Sequence, residues 1–114
     1  LAHRGSFDSL LGERRNDPEA LESVSIERHI DTKTPPVFVW HTVPDEVVPY
    51  ENTLMLISLQ EGWRQVEAHL FPNGGHGLSL GTAETAWQGV NGIEPSMQIW
   101  TQLAVAWMRR TFAR

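Results

Sequence analysis

At 114 residues the chain has the size of one small domain, which would bury about 65% of its unfolded surface if it folded alone. Apolar residues make up 40% and charged residues 20%, which excludes a disordered or fibrous chain. The formal net charge of −5, with one lysine, Lys33, among nine scattered basic residues, argues against nucleic acid as a partner. Cysteine is absent, excluding disulfides and thiolate metal sites.

His3, His29, His41, His69 and His76 show neither an H-E-x-x-H motif nor an i, i+4 pair, so no metal and no cofactor is expected. No apolar run approaches the roughly 18 residues of a membrane span, so no membrane is expected either. Five tryptophans, Trp40, Trp63, Trp87, Trp100 and Trp107, imply large buried aromatic contacts.

Residues 1–36 are polar and read as an irregular cap or connecting segment, with Asp17 placed to cap a short helix beginning at Pro18. Thr34-Pro35-Pro36 stops any helix and launches Val37 to Thr42. This run is continuously apolar and β-branched rather than alternating, the pattern of a strand covered on both faces of a parallel sheet. After a loop through Asp45, Glu51 to Gln60 is predicted to be a helix stopped at Gly62. Gln65 to Phe71 alternates, with Val66, Ala68 and Leu70 on one side and Glu67 and His69 on the other, and suits a strand near a sheet edge. Pro72-Asn73-Gly74-Gly75 then turns into His76, and a glycine-containing loop runs from Gly81 to Gly92. A last helix is predicted from about Pro95 or Ser96, with Met97, Trp100, Ala104, Trp107 and Met108 as its buried stripe and Arg109, Arg110 and Arg114 at its negative end.

The order β-α-β-α over residues 37–114 places the Asp45 and His76 loops at the C-terminal ends of consecutive strands. Open parallel sheets put ligand sites there, and a right-handed crossover brings the two loops to one edge. A serine-hydrolase triad needs a carboxylate to hold an imidazole in the correct tautomer and an imidazole free to take the nucleophile's proton. Asp45 and His76 fit these roles. Taken singly, each also fits plain turn chemistry, Pro44-Asp45 as a turn dipeptide and His76 among glycines. Glu46 and Glu51 are rival acids, and Glu51 ranks below Asp45 because it falls on the following helix and points away from the loop apex.

The nucleophile should precede both loops in the chain, and no G-x-S-x-G occurs before Asp45. Gly77-Leu78-Ser79-Leu80-Gly81 matches the motif in letters, but an elbow serine sits between a strand and a helix and comes before the acid. Ser79 does neither. Ser6 reads as a loop residue. The chain is therefore expected to be the C-terminal part of an α/β-hydrolase fold, with parallel strands and the nucleophile outside it.

Trp40-His41-Thr42-x-x-Asp45-x-x-Val48-Pro49-x-Glu51-Asn52 and Phe71-x-x-Gly74-Gly75-His76-Gly77 resemble the closing motifs of bacterial α/β-hydrolase esterases grouped with acetyl-xylan and other carbohydrate esterases. Leu1 to Phe7 and Leu10-Leu11-Gly12 are similar to the segment that precedes those motifs, and Gly81 to Glu94 matches least. The resemblance implies Asp45 as triad acid, His76 as general base, and a small ester or acetylated carbohydrate as substrate. It also implies a partner: the absent N-terminal portion of the same protein, or another copy, to complete the site. The rival expectation is a non-enzymatic module that pairs through an exposed strand edge.

Overall fold

A computed structural model of the chain describes residues 3–59 and 65–113. Gln60, Gly62, Trp63 and Arg114, for which the sequence predicts a helix end, a helix stop, an aromatic contact and a C-terminal cation, lie outside the described residues.

Helix α1 (Arg4–Leu11) and helix α2 (Pro18–Ser23) open the described chain, linked by a 3₁₀ turn at Gly12–Arg14. Helix α2 starts as its sequence dictates. Pro18 fills the first turn, where no amide hydrogen is needed, and the Asp17 side chain accepts from the Glu19 amide at 3.0 Å. Helix α1 departs from the irregular structure expected for this stretch. His3 caps it without a side-chain bond to the backbone, and the helix buries none of its residues, so neither a capping signature nor a strong apolar stripe announced it. An Arg4–Asp8 pair at 3.0 Å and bonds from Arg4 to the Arg15 carbonyl and to Asn16 hold it instead.

Strands β1 (Val37–Thr42) and β2 (Val66–Phe71) pair in parallel, with Val37 opposite Val66 and Thr42 opposite Phe71. Helix α3 (Glu51–Ser58) connects them. Side chains alternate across a strand, and the two faces take different helices. His41 reaches Thr53 of α3, whereas Phe38 and Trp40 pack on Trp107 and Trp100 of α4 (Trp100–Phe112) on the opposite face. The Trp40 and Trp100 rings stack with centroids 5.2 Å apart, and Phe38 meets Trp107 at 5.7 Å. Each such pair adds about 0.5–1.5 kcal/mol beyond area burial.

The predicted last helix divides in two. A 3₁₀ turn at Pro95–Met97, with the Glu94 side chain accepting from the Ser96 amide, precedes α4. The face turned to the sheet runs through Trp100, Leu103, Ala104 and Trp107, while Met108 points outward at 45% exposure. Met97 lies just ahead of the helix and is fully buried, at the centre of a core formed with Phe71 and Leu78 and flanked by Trp40, Trp100 and Leu103. Arg110 pairs with Glu67 of β2 at 2.9 Å, tying the far end of α4 to the sheet. Trp87 departs from the expected burial at 43% exposure. It pairs with Asn91 across a tight turn and lies over Gly92, where a Cβ would collide with its ring. Among the described residues no helix is long and apolar enough to cross a membrane.

Because Met97 joins the loop after β2 to the start of α4, truncation to Met97→Ala is expected to cost about 2–5 kcal/mol, read by urea unfolding of the protein. A cost below about 1 kcal/mol would show that the surroundings collapse onto the site.

Candidate active site

Both loops leave the same end of the sheet because β1 and β2 run parallel and in register. The Val43 amide continues the ladder one step past β1 by donating to the Phe71 carbonyl at 2.8 Å. Thr42, buried at the end of β1, donates through Oγ1 to the Gly75 carbonyl at 2.9 Å, so the last residue before the acid loop grips the histidine loop directly. Gly74 has φ +103°, and a Cβ there would run into the Leu78 side chain and press on Thr42 Cγ2. Glycine is required at this point for both backbone conformation and space.

His76 sits between two buried anchors, Phe71 and Leu78. Beyond it, the Trp100 indole donates to the Ser79 carbonyl at 2.9 Å, and the Gln98 side chain and the Glu94 amide both donate to the Gly81 carbonyl. Gly81, at φ +69°, leaves room for Met97 that a Cβ would fill. The loop carrying an exposed histidine is thereby fastened on both sides.

The Asp45 and His76 side chains meet, with His76 Nδ1 3.0 Å from Asp45 Oδ2. A carboxylate only accepts, so Nδ1 carries the proton, and in the neutral ring Nε2 is left as a lone pair. The His76 side chain is 47% exposed, against 8% for Asp45, and among the described residues Nε2 has no hydrogen-bond partner. Asp45 Oδ1 accepts from the Val47 amide at 2.9 Å and the Val48 amide at 2.8 Å, a turn closed by its own side chain. One oxygen of Asp45 therefore closes the loop as a turn residue would, and the other holds the imidazole.

Burial is the largest single influence on the Asp45 carboxyl and pushes its pKa up. Hydrogen bonds from the Val48 amide, His76 and the Val47 amide, with the charge of His76, act the other way and together leave it below the ordinary 3.8. The acid is thus ionised at any pH where an imidazole can serve as base.

The rival acids and the two serines set aside in the sequence lie elsewhere. Glu46 and Glu51 are exposed, and neither bonds to His76. Ser79 lies in a turn at φ +53°, followed only by a 3₁₀ turn at Ala83–Thr85, so the strand-to-helix elbow is absent around it. Ser6 is inside α1, its hydroxyl 2.7 Å from His3 Nδ1 in an exposed contact at the helix start. Thr42 and His41 carry parts of the arrangement to which the sequence reading gave no role. Their signal was available: two polar residues close an otherwise apolar strand. An apolar cleft of about 430 Å³, lined by Phe7, Val24, Ile26, Val48 and Met55 among others, lies next to the acid loop through Val48. Among the described residues no three His, Asp or Glu side chains converge as metal ligands would.

Paired parallel strands with a helix on each face, an acid after the first strand and a histidine after the second, define part of an α/β-hydrolase fold. Comparison with known proteins gives the same class. No family model matches the chain. It is similar to endo-1,4-beta-xylanase B of Butyrivibrio fibrisolvens, 37% identical over 97 residues that make up 84% of this chain and 15% of the xylanase. The crystal structure of an acetyl ester-xyloside bifunctional hydrolase from Caldicellulosiruptor lactoaceticus superposes with a TM-score of 0.76 at 35% identity, covering 96% of this chain and 36% of that one. An α/β hydrolase from a Medee basin deep-sea metagenome gives 0.63 at 34% identity, covering 72% and 34%. The chain thus spans about a third of the length of these two hydrolases, and its fold is part of theirs.

A depressed folded-state pKa makes Asp45 stabilising above its unfolded value, and that stability is lost as pH falls through the lower folded value. The carboxyl carbon resonance of Asp45 should titrate below pH 3.8, and His76→Ala should move the midpoint upward by removing a hydrogen bond. A midpoint at or above 3.8 would contradict the geometry.

Proposed function

We propose that Asp45 and His76 are the acid and general base of a serine-dependent carboxyl-ester hydrolase whose nucleophile lies outside this chain. The observation that carries the reading is the 3.0 Å bond from His76 Nδ1 to a nearly buried carboxylate, with the Nε2 side open to solvent. In this mechanism Nε2 takes the proton of the serine hydroxyl as its oxygen attacks the ester carbonyl, and returns it to the departing alcohol. Nε2 then takes a proton from water as the water oxygen attacks the acyl carbonyl, and returns it to the departing serine oxygen, which releases the carboxylic acid and restores the serine. Asp45 does not take up the proton. It fixes the ring and offsets the charge of the imidazolium.

Acetyl esters, or esters of carbohydrates, are the proposed substrate class. Support comes from the acetyl ester-xyloside hydrolase and the xylanase among the similar proteins. The serine and the donors that stabilise the oxyanion are assigned to the remainder of the same protein, so residues 1–114 alone should be almost inactive. The rival reading, a module that pairs through a strand edge, draws on the two-stranded sheet but gives the aligned acid and histidine no purpose.

Hydrolysis of p-nitrophenyl acetate by the whole protein tests the assignment. His76→Ala should lower kcat by roughly 10⁵- to 10⁶-fold and Asp45→Ala by roughly 10⁴-fold. An unchanged rate in either variant would reject the role given to that residue.

A further inference from the structure

His41 lies on β1 four residues before the acid, and its ring makes contacts that the acid–base pair does not account for. Nε2 is 2.7 Å from the Val48 carbonyl and 3.5 Å from Asp45 Oδ2, while Nδ1 is 3.0 Å from Thr53 Oγ1. The side chain is 12% exposed and Thr53 is buried. A carbonyl only accepts, so Nε2 carries the proton and donates to Val48, and in the neutral ring Nδ1 accepts the Thr53 hydroxyl. One imidazole therefore joins strand β1, the far end of the acid loop and the first turn of α3.

Val48 is gripped at both of its backbone polar groups. Its residue's amide donates to Asp45 Oδ1 and its carbonyl accepts from His41, so the side chain that orients the carboxylate is itself braced against the strand. The same Nε2–H faces Oδ2, the oxygen that holds His76. The ring, with nitrogens on two sides, makes both contacts at once and spans from α3 to Val48.

Resting on the reading of Asp45 and His76 as acid and base, we infer that His41 is a positioning residue. It holds the Asp45 carboxylate in the plane and at the distance that the His76 ring requires, without touching the reacting atoms. Losing the brace would leave His76 in place but let the carboxylate wander. Misplacement of a catalytic constellation by about 1 Å can cost on the order of 10²-fold in rate.

The test uses the whole protein with the variants His41→Gln, His41→Phe, Thr53→Val and His76→Ala, measured with p-nitrophenyl acetate across pH. For His41→Phe, kcat should fall by about 10- to 100-fold with KM within about threefold. The acid limb of kcat/KM should move to lower pH, because a loosely held carboxylate stabilises the His76 imidazolium less. Thr53→Val should show a smaller fall with the same direction of movement, and His41→Gln should lie between the two. A fall that tracks only the loss of folded protein by near-UV circular dichroism, with the limb unmoved, would overturn the inference. So would full kcat in His41→Phe and Thr53→Val while His76→Ala is inactive, a result that leaves the acid–base reading standing. Full activity in His76→Ala would instead bring down the acid–base reading and the inference with it.

Discussion

The parallel, in-register pairing of β1 with β2 is the constraint on which everything else depends. With Thr42 opposite Phe71, two loops that are thirty-odd residues apart in the chain begin side by side at one sheet edge. A shift of one residue would turn Thr42 to the α3 face and remove its bond to Gly75, because alternate residues face opposite ways. The register is set by side chains that cannot exchange faces cheaply. Phe38, Trp40 and Phe71 meet the aromatic rings and core of the α4 side, while His41 fits Thr53 on the other.

From that register the site follows by short steps. Thr42 ties the loops together, Gly74 permits their close approach, and Leu78 with Met97 anchors the chain beyond His76. What emerges is a graded environment: a carboxylate almost excluded from water and satisfied on both oxygens, next to an imidazole with one edge free. Low exposure strengthens the bond between them, while the open edge allows a reacting group to approach. On the proposed reading that group belongs to the rest of a larger enzyme. The same reading accounts for apolar surface left uncovered here, including Leu54, Ile57 and Leu59 around α3 and Leu70 on β2, each about two-fifths exposed.

That the Asp45 and His76 loops meet at one sheet edge was legible in the sequence because their signals are local. An apolar run ending in Pro-Asp and a strand ending in Gly-Gly-His state both the element and the loop, and two strands joined by one helix leave little choice of topology. The helix at Pro18 was legible through its cap. Helix α1 was not, since ion pairing and contacts with Arg15 and Asn16 hold it rather than a buried stripe. Met108 was misplaced because the helical period was carried through Met97, which lies on a 3₁₀ turn outside α4 and so does not share its phase. Trp87 defeated the rule that tryptophan is buried by covering a glycine on a surface turn. The contacts of His41 depend on Val48 and Thr53 coming around to meet it, and no periodicity within β1 contains that information.

The account turns on His76 acting as base for a serine beyond this chain. The most direct measurement is labelling of the whole protein with a fluorophosphonate, followed by mass spectrometric location of the adduct. The label should fall on a serine outside residues 1–114 and should be lost in His76→Ala. Labelling of Ser79, or labelling that persists unchanged without His76, would contradict it.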